Sequence, residues 1–204
     1  VKMFALLLMC APVLAQVPRE SLQYRNDLIR EARSVWGMDA PVATFAGQIH
    51  QESMWKANAR SHVGASGMAQ FMPATAKWIC GMRPDLPNGC NTLNPAWAIR
   101  ALVVYDKYLY DRTPKEGTTC GRTWAALRGY NGGLGHWSKE WANAGQPSDL
   151  RIADNFCGTA RRSVKHCPEN LGYPVKITTR WQPLYVSAGW GPGICTYPDV
   201  ECLP

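Results

Sequence analysis

Over its first 145 residues the chain sets its apolar positions mostly at helical spacing. Leu22, Leu28, Ile29, Ala32 and Val35 recur after Pro18 and predict a helix running to Trp36, where Gly37 stops it. Asp39 and Pro41 open a second helix with Val42, Phe45, Ala46 and Ile49 as its stripe. Residues 54–67 read as a loop closing on Gly64-Ala65-Ser66-Gly67. Short helices are expected around 68–72 and from Pro73 to Ile79, since proline suits a first helical position. A loop rich in Pro, Gly and Asn follows over 80–93. Asn94 caps and Pro95 starts the longest helix, which carries Ala98, Ala101, Leu102, Tyr105, Tyr108 and Leu109. Thr123–Tyr130 and Trp137–Ala144 complete the helical set. Beyond Gly145 the periodicity fades, and Val175–Thr179 and Leu184–Ser187 read as short strands. The chain thus divides into a mainly α domain, 16–147, and a Cys- and Pro-rich extension, 148–204.

Residues 1–15 stand apart. Lys2 precedes an apolar run from Phe4 to Ala15, too short to span a bilayer, and this reads as a signal peptide cut after Ala15. Export places the remaining Cys in an oxidising compartment, where disulfides persist. Proximity suggests Cys80 with Cys90, Cys157 with Cys167 and Cys195 with Cys202, leaving Cys120 over. No CxxC spacing is present, so no metal site and no cofactor is expected. The composition, 46% hydrophobic and 18% charged, excludes a disordered chain or a coiled coil. The net charge of +7 favours anionic partners. Its basic residues are scattered, with Arg161-Arg162 the only adjacent pair, which argues against nucleic acid.

Glu52 is the candidate for chemistry. It lies three residues after Ile49 and seven after Phe45, so a carboxyl continues an apolar helical stripe near a helix C-terminus. Burial and the negative end of the helix dipole both disfavour its charged form. A raised pKa is what a general acid needs near neutral pH. Downstream, Ser61, Gly64, Ala65, Ser66 and Gly67 form a small polar loop, and Gln70 offers donor and acceptor atoms suited to sugar groups. Tyr130-Asn131-Gly132-Gly133 supplies a second polar and aromatic helix end.

Ile49-His50-Gln51-Glu52-Ser53, Ser61 to Pro73, and Ala126-Leu127-Arg128-Gly129-Tyr130-Asn131-Gly132-Gly133 resemble the three motifs of the soluble-type lytic transglycosylases. The resemblance spans roughly residues 20–145. It implies a goose-type, lysozyme-like helical fold and cleavage of peptidoglycan strands. It gives Glu52 the role of single acid/base, Ser61 that of a hydroxyl orienting the reacting groups, and Gln70 and Met72 places along the glycan groove. Tyr130 and Asn131 fall beside the catalytic carboxyl. Met68-Ala69 stand where the family usually has Leu-Met, and Gly129 where it has Ala, which bears on groove shape more than on catalysis.

Most glycosidases pair two carboxylates. Between Ser53 and Tyr105 the only other acid is Asp85, and the three motifs hold none besides Glu52. A substrate-assisted route fits: Glu52 protonates the glycosidic oxygen, then takes the proton of the muramoyl 6-hydroxyl as it closes onto C1, giving a 1,6-anhydro end. Tyr105, Tyr108, Tyr130 and Trp137 are candidates for stacking on sugars. Two alternatives stay open: a hydrolysing muramidase of the same fold, and a non-catalytic wall-binding assembly protein. Periplasmic or envelope location is expected, alongside a secretion, conjugation or phage apparatus. The extension reads as a structural lid.

Overall fold

A computed structural model describes residues 16–86 and 89–195; the signal-peptide reading, Cys10 and Cys202 lie outside them. The expected first helix is two, α1 (Arg19–Leu22) and α2 (Arg25–Trp36). Ser21 causes the break: its hydroxyl donates to the Pro18 carbonyl at 2.6 Å, and its own carbonyl caps the Tyr24 amide at 3.0 Å. α3 (Val42–Ser53) is the central rod, with every residue from Val42 to His50 buried. Around it and beyond lie α4 (Pro73–Met82), α5 (Pro95–Asp111), α6 (Thr119–Gly132) and α7 (Leu134–Asn143). Asn94 caps α5 as expected, its side chain accepting from the Trp97 amide at 3.1 Å. No short helix forms over 68–72: residues 68–70 are turns, and Phe71 bridges to Ser66.

The extension is helical. After 3₁₀ turns at Leu150–Phe156 and Val164–His166 come α8 (Cys167–Val175), a wide π turn (Lys176–Trp181) and α9 (Gln182–Ser187). Both expected strands fall within this helical run. The β-branched Val175, Ile177, Thr178 and Thr179 favour strands intrinsically. Burial of Ile177 and Thr178 in tertiary packing overrides that preference. Pro168 and Pro183 stand in first turns, where a missing N–H costs nothing.

α9 packs close against α3. A Cβ on Gly47 would stand 3.0 Å from the Gln182 backbone nitrogen, so the small residue sets that approach. Tyr185 and Trp190 complete the main core with Trp55, Phe45, Ile49 and Trp97. Polar atoms beneath are satisfied across the contact. The Thr44 hydroxyl donates to Gln182 Oε1 at 2.6 Å, and Gln182 Nε2 donates to the Ile194 carbonyl at 2.8 Å. The disulfides run Cys80–Cys90, Cys157–Cys167 and Cys120–Cys195. The third corrects the pairing read from proximity: Cys195 joins Cys120, 75 positions away, because the extension folds back over α6.

Arg128 of α6 is completely buried and joins four elements. Its Nη2 meets Glu140 of α7 at 2.6 Å, its Nη1 pairs with Asp154, and its Nε donates to Asn170 of α8 at 2.6 Å. Asn170 Nδ2 returns bonds to the Arg128 carbonyl at 2.9 Å and to Asn131 Oδ1 at 3.0 Å. Glu140 Oε1 accepts from the Gly158 amide at 3.0 Å and faces Arg162 Nη2 at 3.4 Å. Third-motif helix and extension are therefore held as one unit.

Candidate active site

Glu52 sits one residue from the C-terminus of α3, and the chain then turns sharply through left-handed Met54 and Trp55, at φ 51° and 67°. This brings the 61–72 loop back over the helix end. Ser53 Oγ donates to the Met68 carbonyl at 2.8 Å, and Tyr130 Oη donates to the Ala69 carbonyl at 2.7 Å. The loop is pinned from both sides of the carboxyl. Within it the Ser61 hydroxyl accepts from the Ala65 amide at 2.9 Å, and Gln70 Nε2 donates to the Gly67 carbonyl at 2.7 Å. Gly67 is required twice over: its φ is 80°, and a Cβ there would lie 1.8 Å from the Thr92 carbonyl oxygen.

These residues enclose a cleft of about 580 Å³ with half-buried Glu52 in its wall. Ser61, Gln70, Met72, Tyr130 and Asn131 all line it, so the structure brings the five candidate substrate-binding residues together with Glu52. Tyr105 lines it too. Trp137 does not: it is 1% exposed in a second core with Ala125, Leu150 and Ala153, which corrects its reading as a sugar platform.

The fourth wall was missed. His166, Glu169, Tyr173 and Lys176, all from the extension, face the same cleft. The Tyr173 hydroxyl donates to Glu52 Oε1, and Asn131 Nδ2 reaches Glu169 Oε1 at 3.4 Å. The extension is a wall of the site rather than only a lid. Glu169, Tyr173 and Lys176 are spaced four and three apart, one face of a helix. That signal was in the sequence, hidden by reading a strand from Val175 onward.

Burial pushes the Glu52 carboxyl up to about 8, with the charge of Glu169 adding to the rise and the Tyr173 hydroxyl opposing it. At neutral pH Glu52 is mostly an acid. Tyr173→Phe removes a donor that favours the ionised form, so the Glu52 pKa rises further. The alkaline limb of the activity profile is expected to move to higher pH, read from kcat/KM against pH.

Asp106, behind the cleft on α5, is a second buried carboxyl. It is 3% exposed, and Gln48 Nε2 donates to its Oδ1 at 3.3 Å. Asp106 Oδ2 and Gln48 Oε1 are both buried acceptors without a partner among the described residues. A proton on Oδ2 turns one of these orphan acceptors into a donor. Burial, followed in size by the opposing Gln48 bond and then the nearby Glu52 charge, leaves Asp106 well above the ordinary carboxyl range. Unfolding lets that proton go at pH values above about 4, so stability falls as pH rises from there toward the folded pKa. An amide in its place cannot titrate. Asp106→Asn is expected to match the parent near pH 4 and to melt at a progressively higher temperature than the parent as pH rises above about 4.

Solved structures place this arrangement in a known fold class. The chain superposes on an inactive variant of the lytic transglycosylase Slt from Pseudomonas aeruginosa with a TM-score of 0.63, at 18% identity, over 89% of this chain and 27% of that one. Against the 70 kDa soluble lytic transglycosylase from Escherichia coli the TM-score is 0.59 at 22% identity, over 81% and 24%. The fold is therefore the mainly helical, lysozyme-like fold of lytic transglycosylases. The family follows from sequence: residues 27–152 match the model of the transglycosylase SLT domain, and the chain belongs to that family. A similar curated protein is the membrane-bound lytic murein transglycosylase F of Shewanella halifaxensis, 35% identical over 92 residues. That match takes in 45% of this chain and only 18% of the relative. Among the described residues no helix is long and apolar enough to cross a membrane.

Proposed function

We propose that the protein is a peptidoglycan lytic transglycosylase of the cell envelope, with Glu52 as its single acid/base. The observation that carries the reading is the Glu52 carboxyl, poised as an acid near neutral pH in a cleft formed by all three motifs. Glu52 protonates the oxygen of the β-1,4 bond between N-acetylmuramic acid and N-acetylglucosamine as the bond breaks. The N-acetyl group steadies the positive charge at C1. The resulting Glu52 carboxylate, held by the Tyr173 hydroxyl, removes the proton of the 6-hydroxyl while its oxygen closes onto C1. Glu52 is left protonated for the next cycle, and the product ends in a 1,6-anhydro ring with no water consumed. An intramolecular nucleophile has a large effective-concentration advantage over water.

One observation favours the hydrolytic reading. Glu169 brings a second carboxylate to the same cleft from the extension, where the motifs had offered none. In a hydrolysing muramidase it would activate water. Mass spectrometry of fragments released from purified peptidoglycan separates the two. Anhydro ends, lighter by one water and still formed by Glu169→Gln, support the transglycosylase. Reducing ends that vanish in Glu169→Gln support hydrolysis. Binding without release from the parent protein would support the wall-binding alternative.

A further inference from the structure

Resting on the peptidoglycan reading, we infer that a cationic pocket beyond the cleft, bounded by Lys139 and Arg161, receives the carboxylates of the peptide stems that the glycan carries. The cleft does not stop at its aromatic wall. Thr75 and Tyr105 also border a second cavity of about 500 Å³, whose floor includes Trp78 of α4 and Tyr108 of α5. Trp78 is 41% exposed, and its ring meets Tyr108 edge-on at 4.6 Å, while the Arg112 guanidinium lies 3.4 Å from the Tyr108 ring centre. The result is a fixed aromatic shelf. At its far side Gly135 is shared with a third cavity of about 550 Å³, lined by His136, Lys139, Thr159, Ala160 and Arg161.

That third cavity has two full positive charges, an imidazole and a hydroxyl in its lining, and no acid. Lys139 and Arg161 are exposed and make no ion pair among the described residues. The neighbouring acids are engaged elsewhere: Glu140 by Arg128 and Arg162, Asp154 by Arg128. The adjacent pair Arg161-Arg162 is divided between two tasks. Arg162 turns inward to the buried network, and Arg161 turns out to the cavity. A path of sugar-stacking rings that ends in unpaired cations suits a glycan carrying anionic branches. A neutral glycan has no use for its end. Guanidinium and ammonium groups bind carboxylates by charge-assisted hydrogen bonds.

The test compares two substrates: glycan strands with their peptide stems, and the same strands stripped of stems by an amidase. The variant is Lys139→Glu with Arg161→Glu, both exposed side chains outside the catalytic cleft, and its melting temperature is checked against the parent. The variant is expected to raise KM for stem-bearing strands about tenfold, with kcat unchanged and stripped strands handled as before. Added salt should erode the parent's preference for stem-bearing strands. Equal treatment of both substrates by the parent, or an equal effect of the variant on both, overturns the inference. Sedimentation binding of the two strand types to Glu52→Gln protein, with and without the charge reversals, reads the same preference without turnover. If the parent cleaves neither substrate yet binding still favours stems through Lys139 and Arg161, the catalytic reading fails and the pocket stands.

Discussion

Glu52→Gln should reduce glycan cleavage by about a thousandfold or more while leaving strand binding and melting temperature close to the parent's. Glutamine keeps the shape of the side chain and accepts the Tyr173 hydroxyl, but it carries no proton to give to a glycosidic oxygen. Burial that lifts Glu52 to about 8 has no counterpart in an amide, so the variant also lacks the alkaline limb. In the parent, kcat/KM should decline above about pH 8, as the acid form is lost. The assay is anhydro-muropeptide release across pH, with binding measured in parallel. Residual turnover within tenfold of the parent would mean that another group, Glu169 foremost, protonates the leaving oxygen.

The second large effect is on stability. Arg128→Met should destabilise the fold by about 3–5 kcal/mol, because it leaves Glu140 a buried carboxylate with only the Gly158 amide and the longer contact to Arg162. Asp154 and the Asn170 side chain lose a partner in the same step. Chemical denaturation measures the loss. The double change Arg128→Met with Glu140→Leu should recover much of it, since removing both charges removes the unpaired one. A single variant as stable as the parent would show that solvent reaches Glu140 in the folded state.

The helical core and three walls of the cleft were legible because each follows from local pattern. Apolar positions at three- and four-residue spacing located α2 to α7, and Asn94 and Pro95 marked the start of α5. Glu52 on the same face as Ile49 and Phe45 announced a carboxyl facing the interior. The extension was not legible for a physical reason. Its β-branched residues favour extended backbone, and only burial of Ile177 and Tyr185 against α3 and α6 settles the matter in favour of helix. Cys195 failed similarly: proximity in sequence favours Cys202, whereas chain return over α6 brings Cys120 beside it. Asp106 gave no local sign. An acid in the stripe of α5 acquires meaning only from Gln48, 58 positions earlier.

Glu52 and the phenol that holds it are 121 positions apart, and this has a consequence in time. A chain is made from its N-terminus, so Glu52 emerges with more than half the sequence still to follow. Until α8 docks, its carboxyl lacks the Tyr173 hydroxyl, the Glu169 charge and one wall of its cleft. A clipped chain ending before Cys167 carries all three motifs and still lacks the Tyr173 hydroxyl and the Glu169 charge at its Glu52. Docking of α8 is thus a checkpoint on its chemistry: the acid gains its full surroundings only when a late element of the chain closes on an early one.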